Sequence, residues 1–478
     1  MLFNSTQFWF FFLFVTTVYF LTPWRWRWVF LVAASYYFYM CWKPEYAILL
    51  LASTIVDYSV GRALESLRDQ GWRKTVLCAS ILVNFGVLFA FKYADFFSRS
   101  VKDVFDHYSI FVNMPQLHWI LPVGVSFYTF QSVSYTIDVY RGIIPAERHF
   151  GIYAAYVTFF PQLVAGPINR APHLLPQFKE KKHFTLDNVR VGLRWALWGM
   201  FKKVCVADLL APAVATVYGD PKKFGGPALI VGTFFFAVQI YCDFSGYSDI
   251  AIGVARILGY DLAVNFRQPY FSRSVGEFWQ RWHISLSTWF RDYLYYPMGG
   301  NRVSKLRWCL NILVVFVVSG LWHGANWTFV IWGALHGIYL VGERLRSGRV
   351  RGSADAPAGF LRETVSVAWV FLLVMVGWVF FRAQSVGDAF YILGHSVQWR
   401  GFSPINFFYL GLPRFELSLA CFMIVVLFFA DWLLWYQPAR ALRWWERTWV
   451  RWGCYAGIFY SIICFGVFEK VQFIYFQF

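Results

Sequence analysis

The sequence is short of charge, and shortest of acid. Only 14% of its 478 residues are Asp, Glu, Lys or Arg, where soluble domains carry about 25%. So few charges do not cover a water-exposed surface of this size, and an ordinary globular protein is excluded. Asp and Glu number 26 against 43 Lys and Arg, a formal net charge of +17. Those basic residues fall in short clusters between apolar runs, where such charges set topology and meet anionic headgroups. That placement argues against nucleic-acid binding. The eight cysteines, at 41, 78, 205, 242, 309, 421, 454 and 464, form no CxxC pair, so they read as small buried hydrophobes and indicate neither a disulfide framework nor a zinc site. There is no HExxH and no GxSxG, which leaves a zinc protease and a serine-hydrolase elbow without support. No metal site is expected.

What fills the sequence is apolar and aromatic. Hydrophobic residues make up 58% and aromatics 22%, with 53 Phe and 25 Trp. A crossing needs about 20 apolar residues. Candidate spans are 7–23, 28–43, 46–60, 75–94, 117–137, 152–168, 191–217, 226–242, 309–321, 325–342, 364–381, 417–436 and 452–468. Several are short or broken by Pro and Gly, as at Leu121-Pro122-Val123-Gly124 and Val164-Ala165-Gly166-Pro167. Such segments suit re-entrant stretches shielded by protein, so roughly 10 to 13 crossings are expected. The runs are continuous, without the apolar–polar alternation of a transmembrane barrel. An all-α polytopic membrane protein follows.

Met1–Leu21 lacks a basic leading segment and a small-residue cleavage site, and is expected to be a retained first span. The loops Arg62–Lys74, Arg302–Arg307, Arg344–Arg362 and Arg440–Arg451 are the most basic and are expected in the cytoplasm. Residues 346–361 are the most loop-like stretch. No internal repeat or long linker is evident, so residues 1–478 are expected to form one membrane domain, with a motif core at about 120–345.

Polar residues inside apolar runs are costly and mark function. Three constellations qualify. From Trp308 to Gly342 there is no Asp, Glu, Lys or Arg, and His323 falls near the middle, in Ser319-Gly320-Leu321-Trp322-His323-Gly324-Ala325-Asn326-Trp327. As straight helix the run would be about 52 Å long. His323 therefore sits either deep in a tilted helix or at a turn between two short spans, with Gly320 and Gly324 removing bulk beside it. An imidazole titrates near neutrality and suits a general base. The competing reading is a histidine bonded to a neighbouring helix. His336, 13 residues on, would lie about 20 Å away on a straight helix and reads as structural.

The second constellation is Arg281-Trp282-His283 through Arg291-Asp292-Tyr293-Leu294. As one helix it carries an apolar stripe of Trp282, Leu286, Trp289 and Tyr293. Its polar stripe is Arg281, Ser285, Thr288 and Asp292. It either lies flat at the interface or lines a cavity, with His283 as a second catalytic candidate. The third is Gln239 to Asp249, with Asp243, Ser245, Ser248 and Asp249 at the end of an apolar run. These suit cation coordination, pairing with Arg, or capping of a following helix at Ile250–Leu258.

Taken in order, these segments resemble the membrane-bound O-acyltransferase (MBOAT) family, and within it the bacterial branch that acetylates alginate, with relatives acting on peptidoglycan and teichoic acid. The resemblance spans nearly the whole chain: Met1-Leu2-Phe3-Asn4-Ser5, Tyr156 to Pro167, Gln239 to Asp249, Arg281 to Arg302, Trp322-His323-Gly324, and Phe473-Ile474-Tyr475-Phe476-Gln477-Phe478. It implies an MBOAT-like helical ring with re-entrant segments around a central funnel or tunnel. It implies His323 as catalytic histidine and His283 as the second polar residue of the active site. Trp322, Asn326, Arg281, Asp292 and Asp243 become supporting residues. It further implies no permanently bound cofactor, acetyl-CoA as acyl donor, and a place in the bacterial inner membrane. The expected partners are the lipid bilayer, periplasmic O-acetylation proteins of the AlgJ, AlgX and AlgF kind, and an exported polysaccharide as final acceptor, alginate or alternatively peptidoglycan, cellulose or another glycan. A transporter or flippase is the alternative of another class. It predicts inverted repeats, which the sequence does not display.

Overall fold

The computed structural model describes residues 1–110, 112–117, 119, 122–164, 166–347, 359–398, 410–468, 473 and 474. Leu121, Ala165, most of the 346–361 loop and residues 475–478 lie outside the described residues. Among those described every regular element is a helix. Six of the helices are long and apolar enough to cross a bilayer: Tyr46–Ser66, Gln70–His107, Gly226–Ile257, Lys305–His323, Leu361–Arg382 and Arg414–Tyr436. The protein is a multi-pass membrane protein. Contacts divide it into two compact units, Met1–Trp195 with Ala251–Ala263, and Ala196–Ile250 with Val264–Phe478.

The first unit begins with α1 (Thr6–Leu21), α2 (Arg27–Met40), α3 (Tyr46–Ser66) and α4 (Gln70–His107). It continues with α5 (Val125–Tyr140) and α6 (Phe150–Thr158). Side chains at the starts supply the acceptors that helix termini lack. Ser5 Oγ accepts from Phe8 N at 3.2 Å and Asp69 Oδ1 from Trp72 N at 2.8 Å. Two expected spans are shorter than their apolar runs. Residues 117–124 precede the helix that starts at Val125, and α6 stops after nine residues. The break at Thr158 is built by the Tyr156–Pro167 segment itself. Gln131 and Gln162 both donate to the Tyr156 carbonyl, at 2.8 and 2.7 Å, and Asn169 Nδ2 donates to Gln162 Oε1 at 3.0 Å. Carbonyls freed where a helix stops in an apolar setting need such partners.

Two helices cross from one unit's residues to the other's, α7 (Leu186–Met200) and α9 (Gly226–Ile257), with α8 (Asp208–Gly219) between them. A π turn, Phe201–Ala207, joins α7 to α8. The helix expected to start near Ile250 is not separate: α9 runs unbroken for 32 residues, so Ser248 and Asp249 cap nothing. The rest of the second unit is α10 (Val275–Arg281), α11 (Ile284–Phe290), α12 (Lys305–His323), α13 (Trp327–Ser347), α14 (Phe360–Arg382), α15 (Val386–Ser396), α16 (Arg414–Tyr436), α17 (Pro438–Glu446) and α18 (Thr448–Phe465).

The uncharged run from Trp308 to Gly342 resolves as a hairpin. Of the two expected placements the turn holds, since α12 ends at His323 and α13 begins at Trp327, but neither helix is short: α12 has 19 residues and α13 has 21, about 28 and 31 Å in length. Both gain length by extending into polar residues at their far ends. The flanking glycines have a different use from the one expected. A Cβ on Gly320 would collide with the Phe329 carbonyl, and one on Gly333 with the Phe316 carbonyl, with the Gly320 Cα at 3.3 Å. Small residues thus let two backbones touch, the usual basis of close helix pairing in lipid. Gly333→Val is expected to wedge the hairpin apart and destabilise the protein by about 3 kcal/mol or more, read as a lowered unfolding temperature in detergent. A wild-type melting curve would refute the packing role.

Candidate active site

The hairpin turn places the first histidine. His323 is the last residue of α12 and only 3% exposed. Its ring stands edge-on to Trp322 and Trp332, both at 5.0 Å between centroids, and to Phe381 at 5.4 Å. The second histidine is placed by a chain break. The expected helix over 281–294 is two helices, because His283 adopts a left-handed conformation (φ 42°, ψ 55°) between α10 and α11. Asn265 splices the break. Its carbonyl accepts from Ile284 N at 3.0 Å and its Oδ1 from Ser285 Oγ at 2.7 Å. A π turn at Arg291–Tyr295 then shifts the register again. The two stripes drawn on a continuous helix therefore do not form.

His283 is fully buried and lies edge-on to Phe244 at 4.6 Å and to Trp322 at 6.0 Å. The two imidazole centroids are 6.4 Å apart. Burial pushes His283 down to about 3, because desolvation disfavours the imidazolium. At neutral pH it is an uncharged ring with one N–H to donate. The arrangement is two imidazoles in an aromatic box, where an electrostatic interaction gains strength from the dry surroundings.

Trp322 joins the pair directly. Other residues singled out in the sequence are engaged elsewhere. Asn326 caps α13, its Oδ1 accepting from Thr328 N at 3.1 Å, and its Nδ2 donates to the Gln384 carbonyl at 3.2 Å. Arg281 pairs with Glu277 and stacks over the Trp435 ring at 3.4 Å. Asp292 pairs with Arg291 at 2.8 Å near the surface. His336 is closer than a straight helix implied. The chain folds back, and His336 lies 5.1 Å from the same Trp332 ring that His323 touches. Trp279 Nε1 donates to its Nδ1 at 3.3 Å, a structural bond.

Asp243 belongs to a buried ion cluster that the sequence reading did not pick out. Lys203 Nζ lies 2.6 Å from Asp243 Oδ1 and 2.8 Å from Asp208 Oδ1. Asp243 Oδ2 accepts from Ile474 N at 2.8 Å. Next to it Lys202 pairs with Asp249, and Tyr241 donates to Asp431 at 2.7 Å. Both lysines sit on the π turn, a distortion frequent at functional sites. Their signal was present as two adjacent charges inside the 191–217 apolar run. The cluster anchors the turn of α9 that carries Phe244 to the histidine pair, and Phe473 packs on Phe244 at 5.6 Å and on Tyr247 at 4.8 Å.

A helical, multi-pass membrane protein with a buried pair of imidazoles is equipped for proton transfer. The family model for the membrane-bound O-acyltransferase family matches residues 147–386, a range that holds both histidines. The chain is 42% identical over 396 residues to "Probable alginate O-acetylase AlgI" of Azotobacter vinelandii, covering 81% of this chain and 76% of that protein. It is 41% identical to the protein of the same name in Pseudomonas aeruginosa, covering 81% and 73%. It is 34% identical over 401 residues to "Peptidoglycan O-acetyltransferase" of Helicobacter pylori, covering 78% and 74%. The chain belongs to the membrane-bound O-acyltransferase family, and it is an O-acyltransferase.

Proposed function

We propose that the protein moves acetyl groups from acetyl-CoA, taken from the cytoplasmic side of the bacterial inner membrane, to the O-acetylation of an exported polysaccharide. The observation that carries this reading is the pairing of His323 with His283 in a buried aromatic box, in a chain this similar to proteins named for O-acetylation. His323 takes the proton of the acceptor hydroxyl as that oxygen attacks the thioester carbonyl. The oxyanion that forms is met by the N–H of neutral His283. Collapse of the tetrahedral adduct breaks the C–S bond, and the proton held on His323 passes to the departing thiolate, leaving acetyl ester and free CoA thiol. Periplasmic proteins of the AlgJ, AlgX and AlgF kind complete delivery to the polymer.

Alginate is the acceptor we favour, since the alginate relative is 42% identical over 81% of the chain and the peptidoglycan one 34% identical over 78%. Peptidoglycan is the second reading. The test uses inverted membrane vesicles carrying the full-length protein and acetyl-labelled CoA. Label is expected in the lumen-side acceptor with one CoA thiol released per acetyl moved. Transport of an intact acetyl donor without thiol release would refute transferase action and favour a transporter. Label in muropeptides rather than uronate polymer would select the second reading.

A further inference from the structure

Acyl transfer makes no use of Asp57. This acid lies midway along α3, one of the helices able to cross the bilayer, and is 0% exposed. A buried carboxylate in that setting is costly unless its charge is met. Among the described residues no lysine, arginine or histidine meets it; its neighbours are neutral side chains from α3, α4 and α5. Oδ1 accepts from Ser80 Oγ at 2.9 Å and from Asn84 Nδ2 at 2.8 Å. Oδ2 is 3.4 Å from Ser53 Oγ, and the same hydroxyl is 3.1 Å from Asn84 Oδ1. Ser53 has one hydroxyl hydrogen. It satisfies one of those two oxygens and leaves the other short.

Two more oxygens close on the point. Ser132 of α5 lies beside the carboxylate, and Tyr153 of α6 lies beside Ser132. Both residues are 0% exposed, and neither hydroxyl has a partner in hydrogen-bond geometry. Buried hydroxyls left in this state call for an explanation. The remaining titratable groups facing the point are phenols: Tyr135 on α5, Tyr153 on α6 and Tyr36 on α2, which reaches Thr54 beside it. α4 presents Ser80 and Asn84 there. Arg62 and Glu65, further along α3, pair with each other at 2.7 Å at the surface.

One carboxylate, three serine hydroxyls and an amide carbonyl thus converge where a single positive charge is missing. An all-oxygen set of this kind suits a hard cation, and one acid suits a monovalent rather than a divalent one. We propose that Asp57, with Ser53, Ser80, Asn84 and Ser132, forms a binding site for one monovalent cation, a sodium ion or a proton, that holds the helices of the first unit together. The site is separate from the histidine pair and does not rest on the acetyltransferase reading.

The test is thermal unfolding of the purified full-length protein in detergent. Sodium chloride is compared with choline chloride at equal ionic strength, across a range of pH, for the wild type, Asp57→Asn and Ser132→Ala. If sodium is the occupant, it raises the wild-type unfolding temperature by about 3 °C or more. Asp57→Asn is then indifferent to sodium, and Ser132→Ala needs a higher sodium concentration for the same rise. If a proton is the occupant, sodium has no effect. The wild type then loses stability as pH rises through the ionisation of the buried acid, while Asp57→Asn, which mimics the neutral form, stays flat over that range. Wild type and Asp57→Asn responding equally to sodium and to pH overturns the proposal. Should Asp57→Asn fail to fold, Ser132→Ala decides: a sodium and pH response identical to wild type overturns it.

Discussion

Replacing His323 with alanine is expected to lower acetyl transfer by about 10³-fold or more while the protein still inserts and folds. A positioned general base contributes about 10²–10⁴ to a rate, and the dry surroundings of His323 leave no bulk water to replace it. Folding should survive because the ring contacts Trp322, Trp332 and Phe381, which pack on one another's neighbours without it. The measurement is turnover of labelled acetyl-CoA in vesicles, with acetyl content of the exported polymer as the cellular readout. Unchanged acetylation would remove His323 from the chemistry. His283→Gly, which removes the donor and tolerates the left-handed backbone, is expected to fall by about 10²–10³, chiefly in kcat. A loss confined to KM would make His283 a binding residue.

Lys203→Met is expected to be the most destabilising single change in the second unit. It leaves Asp208 and Asp243 buried side by side without their cation. Removing one partner of a buried ion pair costs about 3–5 kcal/mol, and here two like charges face each other afterwards. Asp208→Asn should be far milder, because Lys203 keeps Asp243. The check is unfolding temperature in detergent for the two variants side by side. Equal losses would mean that the cluster contributes shape rather than charge balance. Because Asp243 precedes Phe244 and accepts from Ile474, Lys203→Met should also lower activity in the protein that remains folded.

The residues that proved legible in the sequence were those that broke a compositional pattern conspicuously. His323 falls near the middle of 35 residues without Asp, Glu, Lys or Arg, inside Trp322-His323-Gly324, and its burial among aromatics agrees with that prominence. The turn beside it was open to two readings, because hydropathy does not register a three-residue reversal between apolar helices. His283 stands out in the sequence, but the pattern around it reads as a continuous helix; nothing in Trp282-His283-Ile284 signals a left-handed residue, whose bend is held by Asn265, eighteen positions away. The lysines at 202 and 203 and the acid at 431 are equally misplaced by composition. Each lies in a run whose average stays apolar, so its charge does not show in the hydropathy of the span. Asn326 looked functional through its proximity in sequence, yet a cap and a catalytic donor place the same residue type at the same distance from a helix start.

The left-handed conformation of His283 changes what mutagenesis can tell. Non-glycine side chains tolerate that region poorly, at about 1–2 kcal/mol, and asparagine, aspartate and histidine tolerate it best. An alanine scan at this position would therefore mix two losses, the imidazole and the local geometry that aims α11. Asparagine keeps the backbone and changes the chemistry; glycine keeps the backbone and removes the side chain. The same constraint narrows the alphabet open to natural variants: a substitution here must satisfy a bend before it can satisfy a reaction.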